Sequence, residues 1–277
     1  MIPQRNLSLL ANRLHKQNAG RRIPEAVLER DYCLAWFLIG LSQSKLSELL
    51  IFKGGTALKR CHFADYRFSE DLDFTLARQA DFAEIQAGLE EVYQYVAQSS
   101  AIRFHFDRED RQSHINCYTF YLGYQGPLPT PNTVKVDITI SESVFFPVVQ
   151  RLVLCSYKEF SDLPEDTSVR VYSLNEIATE KVMALADKAR NEPRDLYDLW
   201  FLTIHAGIQL DLLIPAIEHK LLFRQKPITG LQERILAKET RLKALWLSRL
   251  ANQMETLPQF EEVFRSLKRE LRQASLP

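Results

Sequence analysis

The sequence lacks the features that mark membrane proteins, secreted proteins and metal-cluster proteins. No apolar run approaches the roughly 20 residues that cross a bilayer, and the N-terminus has neither the unbroken apolar region nor the cleavage site of a signal peptide. The cysteines form no C-x-x-C pair, and no histidine stands at zinc-finger spacing. These absences predict a cytoplasmic protein with no membrane anchor, no disulfide framework and no zinc cluster.

Net charge is also lacking, because 35 basic residues balance 35 acidic ones. A neutral total removes the global argument for nucleic-acid binding and leaves local patches open. The basic residues of two candidate patches are Arg5, Arg13, Lys16, Arg21 and Arg22 near the N-terminus, and Lys220, Arg224, Lys226, Arg234, Lys238, Arg241, Lys243 and Arg249 near the C-terminus. Each patch is either a solvated face or a nucleic-acid contact.

The composition is that of an ordinary globular protein, and the predicted secondary structure changes along the chain. Strand-like patterns occur in LLIFKGG, FSEDLDFTL, IRFHFD, INCYTFYLGY, TVKVDITIS and SVRVYS, with amphipathic helices before and between them. After Glu165 the pattern becomes almost wholly helical. The sequence therefore predicts an α+β core with N-terminal helices over residues 1–165 and a helical C-terminal domain over residues 166–277.

A glycine pair ends the first predicted strand. Gly54 and Gly55 permit close approach of the backbone, and amides at the start of the following helix, near Thr56 in a capping position, can bind phosphate oxygens. The spacing of a Walker loop is absent, and a lone Gly-Gly most often marks a tight turn. Its position one short helix before an acidic strand favours the phosphate interpretation.

Acidic residues alternate with apolar ones in two predicted strands. Asp71 and Asp73 share one face of FSEDLDFTL, taken as a strand over its whole length, and Asp137 lies in VKVDITI with Lys135 and Thr139 on its face. Neighbouring carboxylates repel one another, and Mg²⁺ or Mn²⁺ relieves that repulsion with hard oxygen ligands. If the two strands are neighbours, Asp137 supplies a third ligand. The alternative is an acidic face that meets solvent.

A third group of charges lies in two predicted helices. Ser173 begins a capping box, and Pro193 opens the second helix. Lys181 stands in largely apolar company within the first helix, while Asp195 and Asp198 lie on the first turn of the second. A solvated lysine and acids that favour the helix dipole are the alternative interpretation.

In this order, the segments KGGTAL, RFSEDLDF, NEIATEKVMAL and RDLYDL resemble the four motifs of the AbiEii toxin family. These nucleotidyltransferase-like toxins belong to type IV toxin-antitoxin and abortive-infection systems and include the MenT toxins. The likeness runs from ERDYCLAWFLIGL to RDLYDLWFL and leaves the last eighty or so residues unmatched. It implies a polymerase-beta-like nucleotidyltransferase core, with a mixed sheet and flanking helices, plus a helical C-terminal domain.

The resemblance also implies roles for individual residues, to which the strand geometry adds Asp137 as a metal ligand. The expected catalytic residues are Asp71, Asp73, Lys181, Asp195 and Asp198; the expected nucleotide-binding residues are Lys53, Gly54, Gly55, Thr56 and Lys181; and the expected metal ligands are Asp71, Asp73 and Asp137. Lys53 enters only through its place before the glycines.

These roles predict that a nucleotide is transferred from an NTP with release of pyrophosphate and with Mg²⁺ or Mn²⁺ as cofactor. By resemblance to MenT toxins, the expected acceptor is the 3′ end of tRNA or another RNA, so that translation stops, and a cognate antitoxin is the expected partner. Two alternatives stay open. One is transfer to a protein or small molecule, and the other is a non-catalytic nucleotide-binding module. The several charged residues argue against the second alternative, because buried charges are costly unless they are paired.

Overall fold

The computed structural model describes residues 1–18, 20–111 and 115–276. The chain divides into two compact units, one formed by Met1–Glu142 with Val148–Val171 and the other by Ser143–Pro147 with Tyr172–Pro277. Among the described residues, no helix combines the length and the apolar character that a bilayer crossing requires. The first unit carries the sheet, and the second is helical.

The first unit begins with three helices, continues with two strands that are each followed by a helix, and ends with five consecutive strands. Its elements are α1 (Gln4–Asn18), α2 (Glu25–Ser42), α3 (Leu46–Leu49), β1 (Leu50–Lys53), α4 (Gly54–Ala57) continued by a π-helical turn (Leu58–His62), β2 (Leu72–Leu76), α5 (Phe82–Ser100), β3 (Arg103–Glu109), β4 (Cys117–Gln125), β5 (Asn132–Thr139), β6 (Val149–Leu152) and β7 (Ser168–Val171).

The strands form one mixed sheet in the order β3-β4-β5-β2-β1-β7-β6. The pairs β2/β5 and β1/β7 are parallel, and the other neighbouring pairs are antiparallel. The predicted α+β core with a mixed sheet is confirmed, and the two acidic strands are neighbours. Strand β6 was not predicted, because most of its VQRL residues are exposed and no apolar alternation marks it.

Alternation along β5 fixes which side chains face the core. Val134, Val136 and Ile138 are buried, whereas Lys135 and Asp137 between them are partly exposed on the other face. A period of two is what a half-buried strand requires. The apolar residues that predicted this strand therefore also determine where its charges lie.

The predicted acidic strand is wrong over its first half. Strand β2 begins only at Leu72, and Asp71 precedes it in an irregular segment. Pairing on the β1 side ends where Lys53 meets Asp73, since the chain then turns at Gly54 into a helix, and pairing with β5 ends one residue earlier at Leu72. Upstream of Asp73, β1 has no residue left to pair.

The second unit is helical, as predicted for the C-terminal part of the chain. Its helices are α6 (Leu174–Ala186), α7 (Pro193–Ile204), α8 (Ile214–Phe223) after a short 3₁₀ turn (Asp211–Leu213), α9 (Leu231–Leu236), α10 (Glu239–Leu250) and α11 (Phe260–Ala274). The Ser173 hydroxyl accepts a hydrogen bond from the Glu176 amide at 3.3 Å, which confirms the predicted cap of α6. Pro193 opens α7, also as predicted.

Candidate active site

Three adjacent strands bring charged residues to one level of the sheet. Lys53 of β1 lies opposite Asp73 of β2, and Asp73 lies opposite Asp137 of β5. Opposite residues of neighbouring strands project to the same face, and the strands are about 4.8 Å apart. The register therefore places the two aspartates side by side, with Asp71 just before β2. We call Asp71, Asp73 and Asp137 the acidic set.

Both carboxylate oxygens of Asp137 have partners in the first unit. Lys135 Nζ lies 2.8 Å from Asp137 Oδ2, and the Thr119 hydroxyl donates to Asp137 Oδ1 at 2.7 Å. Cys117 Sγ approaches the same Oδ1 at 4.0 Å. Thr119 reaches this position because β4 pairs with β5 in a register that sets it opposite Asp137. Asp137 is thus held by an ammonium and a hydroxyl.

Sequence analysis placed Lys135 on the face of Asp137 and gave it no role. Burial lowers the pKa of Lys135, but the hydrogen bond and charge of Asp137, followed by the charge of Asp71, outweigh burial and raise that pKa above its ordinary value. Lys135 is therefore an ammonium at neutral pH, within electrostatic reach of two members of the acidic set. The alternating K-x-D pattern of β5 was the available signal.

The two glycines are explained by the close approach of neighbouring side chains. Gly54 has a φ of +80°, and a Cβ there would stand 2.3 Å from Asp73 Oδ2. A Cβ on Gly55 would stand 2.7 Å from Arg67 Nη2 and 3.1 Å from Ser69 Oγ. Arg67 and Ser69 are buried and were missed by sequence analysis, although both lie in the quoted RFSEDLDF segment.

Thr56 is not the helix cap that the sequence predicts. The left-handed conformation of Gly54 turns the chain into α4 two residues earlier, so Thr56 lies inside the first helical turn. Its buried hydroxyl donates to the backbone carbonyl of Asp71 at 2.5 Å. Thr56 therefore ties the glycine turn to the acidic set, while Lys53 Nζ donates to the Thr139 hydroxyl at 2.8 Å.

The second unit contains a buried ion cluster between α6 and α7. Lys181 Nζ lies 2.8 Å from Asp195 Oδ1 and 2.7 Å from Asp198 Oδ2, and all three residues are buried. Arg190 Nε lies 2.5 Å from Asp195 Oδ2 from the solvent side. The interpretation of Lys181 as a solvated lysine is wrong, since its ammonium is enclosed by two aspartates.

Asp195 is ionised in spite of its burial. Burial alone raises the pKa of this carboxyl, but the charges of Lys181 and Arg190 and their hydrogen bonds outweigh it and hold the pKa well below its usual range. A buried carboxylate of this kind requires its cations. The cluster is therefore a coupled unit, and changing one member changes the environment of the others.

The structure removes two members from the predicted C-terminal basic patch, because Lys220 and Lys238 are buried, and it leaves Lys226, Arg241, Lys243 and Arg249 exposed. Lys220 is fully buried and pairs with Glu176 at 2.8 Å and Glu180 at 2.6 Å, which also binds Arg224 at 2.8 Å. Other members of the patch that pair with acids or donate to backbone carbonyls are Lys226, Arg234, Lys238 and Lys243. The partners of Lys220 lie about 40 residues away, so composition alone missed them.

The acidic set supplies the carboxylate oxygens that Mg²⁺ and Mn²⁺ prefer. Gly54 keeps the space beside the Asp73 carboxylate free of a side chain. Within the described ranges, however, no group of three or more His, Cys, Asp or Glu residues stands close enough together to hold a metal ion. The chemistry of the donor atoms suits a divalent cation, and one of the two Asp137 oxygens lies 2.8 Å from Lys135 Nζ.

Two solved structures share the fold. MenT4, a nucleotidyltransferase toxin from Mycobacterium tuberculosis H37Rv, matches with a TM-score of 0.63 at 15% identity over 96% of this chain and 89% of that one. A candidate nucleotidyltransferase from H. pylori matches with a TM-score of 0.56 at 19% identity over 91% of this chain and 96% of that one. Both support the polymerase-beta-like architecture.

Sequence comparison identifies the family. A search among curated proteins finds no match. The family model described as "Nucleotidyl transferase AbiEii toxin, Type IV TA system" matches residues 36–266, which is most of the chain and includes all four quoted motifs. The resemblance stated from those motifs is confirmed. The chain belongs to the AbiEii nucleotidyltransferase toxin family of type IV toxin-antitoxin systems.

Proposed function

We propose that the protein is a metal-dependent toxin that transfers a nucleotide from an NTP to an acceptor hydroxyl, with pyrophosphate as the leaving group. The observation that carries this proposal is the register of Asp73 opposite Asp137, beside the Gly54 turn, in a chain of a nucleotidyltransferase family. Carboxylates aligned on adjacent strands form a fixed platform, which suits a reaction that depends on positioning charge.

The acidic set would hold Mg²⁺ or Mn²⁺, and Lys53, Gly54, Gly55 and Thr56 would hold the triphosphate. When bound, the ion neutralises charge on phosphate oxygens and acts as a Lewis acid. Thr56 supports this assignment because its hydrogen bond to Asp71 connects the triphosphate residues to the metal residues. A displacement of the triphosphate residues would thus also move the metal residues, and the reverse.

Lys181 is proposed as a further triphosphate contact, and Asp195 and Asp198 as the residues that orient its ammonium. The distances of 2.8 and 2.7 Å fix Lys181 Nζ between two carboxylates on a rigid helix pair. Preorganisation of this kind lowers the entropy lost when a ligand binds. An increased KM for NTP in Lys181→Arg, which keeps the charge and changes the geometry, would support this role.

We propose the 3′ end of tRNA as the acceptor, in the cytoplasm, with an antitoxin as the partner that the family implies. Support comes from the exposed basic residues Arg5, Lys16, Arg21 and Arg22, in a segment without acidic residues up to Pro24. Arg13 drops out of this surface because it binds Glu159 at 2.7 Å. Phosphate contacts by exposed cations supply most non-specific affinity for RNA.

The test is transfer of label from each of the four NTPs, labelled at the α-phosphate, in the presence of Mg²⁺ or Mn²⁺ and purified tRNA. Label on the tRNA 3′ end supports the proposal. Label only on protein or on a small molecule favours transfer to another acceptor. Binding of NTP with no transfer to total cell extract favours the non-catalytic module. Asp107→Asn, an exposed substitution on β3, is the matched control for substitutions in the acidic set.

A further inference from the structure

Lys135 occupies an unusual position for a lysine in a candidate metal site. It precedes Asp137 by two residues on the same strand, so both side chains project from the same face of the sheet. Its ammonium lies 2.8 Å from Asp137 Oδ2, and the charge of Asp71 also acts on it. A positive charge therefore already stands within the acidic set.

The contacts of Asp137 determine what an incoming cation must displace. Oδ1 is held by the Thr119 hydroxyl at 2.7 Å, while Oδ2 is held by Lys135. A hydroxyl can keep its hydrogen bond to a carboxylate that binds a metal, whereas an ammonium repels the metal. The Lys135 side chain is 36% exposed, so its flexible stem can rotate into solvent once its ion pair with Asp137 is broken.

We infer that Lys135 is a resident counter-ion of the acidic set, which occupies the place of a divalent cation beside Asp137 and leaves it when Mg²⁺ or Mn²⁺ binds. This inference rests on the proposed function, because it assumes that the acidic set is the metal site. It makes Lys135 a positioning residue that sets the affinity for metal. Without metal the lysine offsets the repulsion among the carboxylates, and it raises the metal concentration at which the site fills.

The test is the affinity for Mn²⁺, measured by titration calorimetry or by electron paramagnetic resonance of free Mn²⁺. Lys135→Met keeps the aliphatic stem and removes the charge, and we expect Mn²⁺ to bind about tenfold more tightly. The metal must displace an ammonium 2.8 Å from Asp137 Oδ2, and the attraction between two unit charges at that distance is worth about that factor even at the dielectric constant of water. Lys135→Arg keeps the charge, and its affinity should stay within about threefold of wild type.

A matched control is Lys45→Met, because Lys45 forms an ion pair of the same length, 2.8 Å, with Glu91 on an exposed surface. Its Mn²⁺ affinity should equal that of wild type. In the double variant Lys135→Met/Asp137→Asn, the gain should disappear, since the carboxylate oxygen that the lysine occupied is gone. Thermal melting of each variant confirms that it is folded before titration.

The outcomes separate this inference from the proposed function. If wild type binds Mn²⁺ and needs it for transfer, yet Lys135→Met binds Mn²⁺ no more tightly, only the counter-ion role is refuted. If transfer proceeds fully in excess chelator, or neither wild type nor Lys135→Met binds Mn²⁺, the metal-dependent function and the inference both fail. Equal gains in Lys135→Met and Lys135→Arg would also refute the role, because they would show that charge is not the cause.

Discussion

Replacement of Lys181 by methionine should destabilise the second unit more than replacement of either aspartate by its amide. The ammonium lies 2.8 Å from Asp195 Oδ1 and 2.7 Å from Asp198 Oδ2, in a buried cluster. Methionine fills a similar volume without charge, so two buried carboxylates lose their common cation. In Asp195→Asn, by contrast, the lysine keeps its pairing with Asp198.

The magnitude follows from the cost of stranding a buried charge. Removing one partner of a buried ion pair costs about 3 to 5 kcal/mol. Arg190 still neutralises part of the Asp195 charge in Lys181→Met, but its side chain is 52% exposed and solvent screens its effect, so the cost should stay within that range. We expect a loss of about 4 kcal/mol for Lys181→Met and about 2 to 3 kcal/mol for Asp195→Asn.

The assay is urea unfolding followed by circular dichroism, together with hydrogen exchange of the backbone amides in α6 and α7. Exchange assigns the loss to the second unit, because only amides of that unit should lose protection. A cost below about 1 kcal/mol for Lys181→Met, or a cost no larger than that of Asp195→Asn, would refute the reasoning. The result also decides how kinetic data on Lys181→Met are interpreted, since part of any lost activity is lost folded protein.

Three further predictions concern the pH dependence of stability, the conformation at Gly54 and the hydroxyl of Thr56. The pKa of Asp195 is lower in the folded protein than in the unfolded chain, where it is near 4. The ionised carboxylate therefore stabilises the fold above about pH 4, and this stability is lost as the pH falls below that value. The free energy of unfolding, measured as a function of pH, should decrease more steeply in acid for wild type than for Asp195→Asn. Gly54→Ala should abolish transfer and cost about 2 to 4 kcal/mol, because it combines the strain of a left-handed φ with a Cβ that would meet a carboxylate at 2.3 Å. Gly207→Ala, at φ +71° with no atom near the added Cβ, should cost only the strain of about 1 to 2 kcal/mol and stay active. Thr56→Val removes the hydroxyl that donates to the Asp71 carbonyl and should lower the free energy of unfolding in urea by about 1 to 3 kcal/mol. Thr56→Ser keeps the hydroxyl and should regain most of that stability. Equal stability of the two variants would contradict this prediction.

The parts of the fold that the sequence predicted are those where apolar periodicity is strong. In β5 the alternation of Val134, Val136 and Ile138 marks the strand and its buried face together. The segment before Leu72 also alternates, yet it is not a strand: it pairs with neither β1 nor β5. Alternation describes which residues can be buried, while pairing depends on strands that are distant in sequence.

In the candidate site, too, local sequence predicts some features, while others depend on residues that are distant along the chain. Motif order suffices to name Asp71 and Asp73, and strand alternation adds Asp137, but the alignment of Asp73 with Asp137 depends on the order of strands in the sheet, which no local pattern encodes. Ion pairs over long sequence separations were also missed, such as Lys220 with Glu176. A basic composition cannot distinguish a surface cation from a buried one whose partner lies on another helix.

The central claim is that the register of Asp73 and Asp137 forms a nucleotidyltransfer site. Its most direct test is release of pyrophosphate and transfer of labelled nucleotide by wild type, Asp73→Asn, Asp137→Asn and the exposed control Asp107→Asn. The account predicts loss of more than about 100-fold in the two site variants and full activity in the control. The melting temperature of Asp73→Asn should be at or above wild type because a repelling charge is removed, whereas Asp137→Asn should melt slightly earlier because it loses the ion pair with Lys135. Transfer at the wild-type rate by folded Asp73→Asn would contradict the account.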